Sequence, residues 1–135
     1  LINTISEIKK INSKIEIFNS RVEIKNIKKF NLSNEYLIFS GIGNSKSFKE
    51  ILINNKFNVI EEKIFSDHYE YKDEDIQKIL KISQKKNLKT LTTEKDYVKI
   101  PVNLRDEIDF IEIDFKIDED KKLIKFINSK INETN

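Results

Sequence analysis

Apolar positions recur along this chain with two periods. Leu1, Ile5 and Ile8 share one face at helical spacing, with Lys9 and Lys10 close behind, so Leu1–Ile11 reads as the end of an amphipathic helix. Ile15-Glu16-Ile17-Phe18 is extended in character. Val22, Ile24 and Ile27 then stand between charges, and residues 12–30 read as strand or ribbon. Tyr36-Leu37-Ile38-Phe39 is wholly apolar, as in a parallel strand buried on both faces. Helical spacing returns with Phe48, Ile51 and Leu52 on one face, and Asn44 or Ser45 can cap that helix. Phe57–Phe65 predicts a second strand, with Phe57, Val59 and Ile64 inward. A second helix starts near Asp73. Its first turn is acidic (Asp73, Glu74, Asp75), its end is basic (Lys85, Lys86), and Ile76, Ile79 and Leu80 form its buried stripe. Leu88–Leu91 is a third strand. Thr93 with Asp96 three residues on resembles a capping box, and Val98 and Ile100 lead to Pro101, which closes that element. Ile108–Phe115 alternates apolar residues with acids and predicts a fourth strand, half-buried or near an edge. Asp118 is expected to cap a last helix with Leu123, Ile124, Ile127 and Ile131 on its face.

Strand and helix therefore alternate, which predicts an α/β fold. The expected architecture is a Rossmann-like open, mostly parallel sheet flanked by helices. Residues 1–35 form a helix-and-ribbon leader and residues 36–135 an α/β lobe. Such sheets bind ligands at the C-terminal ends of their strands. Three unusual stretches fall there: Gly41–Asn44, Asp67–Tyr71 and Thr92–Asp96.

Composition narrows the function classes. Charged residues make up 36% of the chain but nearly cancel, 25 basic against 23 acidic, so no net excess drives nucleic-acid binding. With no cysteine there are no disulfides or thiolate metal sites. No apolar run approaches the roughly 20 residues that cross a bilayer. The chain opens on Leu1 and lacks methionine and alanine, while Ile, Lys and Asn abound. The expectation is a piece of something longer from an A/T-rich genome, whose lysine runs say little about anionic partners.

The menu of reactive side chains is short. His68, following Asp67 and standing among Phe65, Tyr69 and Tyr71, is the sole histidine. It is either a surface loop residue or the acid–base group whose unperturbed pKa suits neutral pH. Both glycines of the chain lie in one turn, Gly41-Ile42-Gly43. Two glycines at that spacing suggest backbone angles or clearances that other residues cannot meet. The turn fits neither G-x-G-x-x-G nor G-x-x-x-x-G-K-[ST], since glycine does not precede Lys46, so this chain has no P-loop. A helix N-terminus there remains able to hold an anion. Thr92-Thr93-Glu94-Lys95-Asp96 reads equally as a cap or a site. Lys95 has the charge to hold a phosphate, and Glu94 and Asp96 the groups for a base or a metal. One histidine with scattered acids makes a poor metal signature, so no metal site is assigned.

Three blocks in order carry a resemblance: Phe39-Ser40-Gly41-Ile42-Gly43-Asn44 with Phe48, Phe65-Ser66-Asp67-His68-Tyr69-Glu70-Tyr71, and Leu91-Thr92-Thr93-Glu94-Lys95-Asp96 with Val98. Together they resemble the C-terminal half of the tetraacyldisaccharide 4′-kinase (lipid A 4′-kinase) family, over most of residues 15–130. The family reads roughly F-x-G-I-G-N-P, F-x-D-H-H-x-Y and T-T-E-K-D-x-V. Ser45 stands where proline is usual, and Tyr69 where a second histidine is common. The resemblance implies transfer of the ATP γ-phosphate to the 4′-hydroxyl of a tetraacyldisaccharide 1-phosphate. The implied setting is peripheral, at the cytoplasmic face of the bacterial inner membrane. ATP and Mg²⁺ would be bound mainly by an N-terminal kinase lobe of the same protein, which also carries a catalytic aspartate. His68 would orient or polarise that base, with Asp67 beside it. Gly41, Gly43, Asn44, Thr93, Glu94, Lys95 and Asp96 would line the cleft or brace the lobe. The rival reading is a free-standing α/β module that holds an anion or partner without catalysis.

Overall fold

The computed structural model describes residues 2–132, so Leu1 of the first predicted helix lies outside the described residues. In chain order the elements are α1 (Ile2–Ile11), β1 (Ser20–Ile24), β2 (Glu35–Ser40), α2 (Ser45–Asn54), β3 (Asn58–Ile64), α3 (Asp73–Lys86), β4 (Lys89–Thr93), α4 (Glu94–Tyr97), β5 (Ile108–Ile111), β6 (Ile113–Ile117) and α5 (Asp120–Asn132). They fall into two compact units, Leu1–Glu23 with Asp114–Asn135, and Ile24–Ile113.

The second unit is built on a four-stranded parallel sheet in the order β3-β2-β4-β5. This is the predicted α/β sheet flanked by helices. β2 lies at its centre and is buried from Tyr36 to Ser40. Its apolar residues alternate between two cores because successive side chains of a strand point to opposite faces. Tyr36 and Ile38 pack with Phe48 and Leu52 of α2, with Leu91 and with Ile111. Leu37 and Phe39 pack with Ile76, Ile79 and Leu80 of α3, with Ile100 and with Ile108. Two polar groups inside the α3 face satisfy each other: the hydroxyls of Ser83 and Thr90 are 2.8 Å apart.

The predicted strand Ile108–Phe115 is in fact two. β5 ends at Ile111, and β6 pairs with β1 in a separate two-stranded sheet. The switch is made at Asn26, whose amide donates to the Phe110 carbonyl (2.9 Å) and accepts from the Glu112 N–H (3.1 Å). Ile108 and Ile111, three positions apart, accordingly lie in opposite cores.

Other boundaries also moved. Within residues 12–30, the described strand is limited to β1. Asp118 does not cap α5; its carboxylate accepts from Arg21, and the helix starts two residues later. In that first unit Ile5 and Ile8 share a half-buried face, and Phe18 packs on Phe126 with ring centres 5.6 Å apart. Ile124, Ile127 and Ile131 are exposed. Among the described residues no helix is long and apolar enough to cross a membrane.

Candidate active site

The three singled-out stretches lie side by side. Ser40 and Ile64 are register partners at the C-terminal ends of β2 and β3, and the Phe65 N–H donates to the Ser40 carbonyl (2.9 Å). The glycine turn and the Asp67–Tyr71 segment therefore leave the sheet as neighbours. The glycines supply clearance, not special angles, since neither has positive φ. A methyl group on Gly41 would lie 3.0 Å from the Tyr71 hydroxyl, 3.1 Å from Tyr69 Cβ and 3.2 Å from the Ser66 carbonyl oxygen. One on Gly43 would lie 3.3 Å from Asp67 Oδ2. Asn44 is the cap of α2, as expected of a short polar side chain there, and its Oδ1 accepts from the Ser47 N–H (3.1 Å).

His68 has φ 58°, in the left-handed region, which is unusual for a residue with a side chain. Several contacts hold it there. The Asp67 Oδ1 accepts the His68 backbone N–H (3.0 Å), and the Tyr69 N–H closes a turn onto the Ser66 carbonyl (3.2 Å). Phe65, Tyr69 and Tyr71 stack against one another with ring centres 4.7–5.4 Å apart, and Tyr71 meets Phe39 edge-on. The Tyr69 hydroxyl donates to Asp75 Oδ2 (3.0 Å), which also accepts the Lys72 N–H at the start of α3. The loop is thus bolted to core and helix while the imidazole projects outward, 76% exposed, with Nε2 3.7 Å from Asp67 Oδ2.

Thr93 and Asp96 take the predicted cap geometry in part. The Thr93 hydroxyl oxygen accepts the Asp96 N–H (3.1 Å). The Asp96 carboxylate is fully buried and reaches across the sheet, where Oδ2 accepts the Gly41 N–H (3.0 Å) and the Thr93 O–H (2.9 Å). Lys99 donates to its Oδ1 (3.0 Å). Burial first, then the charge and hydrogen-bonding pull of Asp96, push the Tyr71 hydroxyl far above the tyrosine range. No contact of that hydroxyl reaches full hydrogen-bond geometry among the described residues. Glu94 and Lys95 are exposed on α4, and their side chains make no hydrogen bond or ion pair among the described residues.

The geometry therefore joins His68, Asp67, Gly43, Gly41, Asp96 and Thr93 into one contiguous group. Glu94 and Lys95 stay outside it. Tyr69 and Tyr71 support the site without having been among the candidate site residues. Their signal was the aromatic run around a single histidine. Two surface hollows lie elsewhere: one of about 350 Å³ at the N-terminal ends of the strands, lined by Ser33, Asn34, Glu35, Asn58, Asn87 and Lys89, and one between α2 and β3. Neither contains His68 or Asp67, whose side chains are exposed.

The family model for tetraacyldisaccharide-1-P 4′-kinase (LpxK) matches residues 3–132. The chain belongs to this family. A tetraacyldisaccharide 4′-kinase of Pelagibacter ubique is 36% identical over 129 residues, covering 96% of this chain and 41% of that protein. Those of Rickettsia bellii and Rickettsia canadensis are 45% and 37% identical over 65 and 97 residues, covering 48% and 71% of this chain and 20% and 28% of theirs. The chain thus spans about two-fifths or less of the length of these relatives. A crystal structure of LpxK from Aquifex aeolicus in complex with ATP shares the fold, with a TM-score of 0.55 at 22% identity, over 90% of this chain and 40% of that one. All three LpxK-like blocks of the sequence fall within the matched residues.

Proposed function

We propose that this chain is the C-terminal lobe of a lipid A 4′-kinase. The full protein transfers the γ-phosphate of ATP to the 4′-hydroxyl of a tetraacyldisaccharide 1-phosphate, peripherally at the cytoplasmic face of the inner membrane. The observation that carries this reading, within a chain matched to the family from residue 3 to 132, is His68. It is held in a left-handed conformation at the ligand end of the sheet, projecting outward beside Asp67. That is the form of one wall of a cleft whose other wall comes from the rest of the protein.

The residues present do not fit a nucleotide–metal site. The chain has no P-loop, and among the described residues no group of three or more acidic, histidine or cysteine side chains could hold a metal ion. ATP and Mg²⁺ are therefore assigned to the N-terminal lobe. The part left to this lobe is proton handling. His68 orients or polarises a carboxylate base of the other lobe, which takes the proton of the attacking sugar hydroxyl. Asp67 fixes the His68 backbone through Oδ1, and its Oδ2 lies 3.7 Å from the imidazole Nε2. The rival anion-holding module is disfavoured, because Asp67 Oδ2 stands against the glycine turn that leads into α2, where an anion would meet its charge.

The test is the full-length gene product against its His68→Ala variant, on ATP and the lipid A disaccharide precursor. kcat should fall by about 10²–10⁴-fold, the range of general acid–base assistance, with ATP affinity and folding unchanged. Full activity in the variant would remove His68 from the chemical step. No phosphorylation of the lipid by the wild type would overturn the assigned reaction.

A further inference from the structure

In open α/β sheets the ligand crevice opens where outgoing connections from adjacent strands diverge to opposite faces. Here that point lies between β2 and β4. The connection from β2 runs into α2 on one face, whereas the segment after β4 packs Tyr97, Ile100 and Leu104 on the α3 face. The spot is not open. The Asp96 side chain fills it and ties the two diverging loops together through the Gly41 N–H and the Thr93 O–H.

We propose that Asp96 is a positioning residue, holding the Gly41–Gly43 turn so that Asp67 and His68 are set at the edge of the cleft. The role rests on the kinase reading above, and Asp96 itself touches no substrate because it is fully buried. The chain of contact is short. Asp96 fixes the Gly41 N–H. Gly41 abuts Ser66, Tyr69 and Tyr71, Gly43 abuts Asp67, and Asp67 holds the His68 N–H. A helix cap alone would not require this carboxylate, since Thr93 already caps α4. Burying a charged group is unfavourable unless it is paired and fully hydrogen-bonded. Asp96 meets that condition with three donors, Gly41, Thr93 and Lys99, drawn from both loops.

Two variants of the full-length protein separate positioning from plain bracing. Asp96→Asn keeps the shape and one oxygen to accept from Gly41. Asp96→Ser keeps a polar group near the α4 cap but is too short to reach Gly41. The serine variant should lose about 10²-fold in kcat with the KM for ATP unchanged, the scale of a small misplacement of a catalytic group. The asparagine variant should recover most of that loss. Equal losses in both variants, tracking the folded fraction, would overturn the proposal, as would wild-type kcat in the serine variant. Side-chain NMR of His68, assigned with His68→Ala, reads the same idea without any phosphoryl transfer. The imidazole signals should move in the serine variant and stay in place in the asparagine variant. This arm stands even if the lipid proves not to be the substrate. If the serine variant does not fold, amide exchange in the wild type decides: Gly41 N–H should be strongly protected although it lies in a turn, and exchange as fast as at Gly43 would overturn the role.

Discussion

Gly41 and Gly43 show how two like residues answer to different neighbours. A methyl at Gly41 meets the carbonyl of Ser66 and the hydroxyl of Tyr71, one backbone and one buried, and neither can yield easily. Gly41→Ala should therefore destabilise by about 1–3 kcal/mol, the usual cost of overpacking. A methyl at Gly43 meets only the carboxylate of Asp67, a half-exposed side chain that can swing aside. Gly43→Ala should stay within about 0.5 kcal/mol of wild type in urea unfolding. It should still lower kcat in the full-length kinase, because the residue that moves is Asp67. Equal stability losses would mean that the two clearances are alike. The glycine pair was conspicuous in the sequence, but whether it served angle or clearance depended on groups 24 to 30 residues further along.

At the scale of elements, the segment between β3 and α3 is held by Tyr69. Its hydroxyl reaches Asp75, and that bond is the first cause of a raised Tyr69 pKa. The Asp75 carboxyl is held below its usual range, first by the Lys72 N–H and then by Tyr69. A carboxyl with a lowered folded pKa stabilises the fold above its unfolded value, about 3.9, and the benefit is lost as pH falls through the folded value. Tyr69→Phe should thus reduce stability at pH 7, and its effect should shrink as pH falls below ~4 and on through the lowered Asp75 value, where the folded carboxylate is protonated as well. Urea midpoints at the two pH values check this; a loss independent of pH would assign the effect to ring packing. The α3 boundaries, its dipole-matched ends and its stripe of Ile76, Ile79 and Leu80 were all legible, because helix periodicity and capping are local. The break after Ile111 was not, because it is made by Asn26, more than 80 residues away along the chain.

For the whole molecule, the two compact units cut across the order of the chain, since residues from both ends fold into one of them. That is invisible to a hydropathy pattern read in sequence. The division of labour proposed for the kinase makes a simple prediction. The 135-residue chain alone should transfer no phosphate from ATP, measured with labelled nucleotide against a protein-free control. Transfer above that control would place an ATP site inside this chain and overturn the assignment of the nucleotide to the other lobe.

What the sequence determined by itself was local or repetitive. The both-face burial of β2, the helix stripes, the α/β alternation and the ordered motif blocks are written in spacing and residue type, and they sufficed for the family. Tertiary structure decided which chemistry-bearing residues meet. It buried Asp96 at the point where β2 and β4 diverge, left Glu94 and Lys95 outside the group, and set His68 outward on an aromatic base. Adjacent residues on α4 point to different faces, so strand pairing and register, which bring distant loops together, select the one that turns inward.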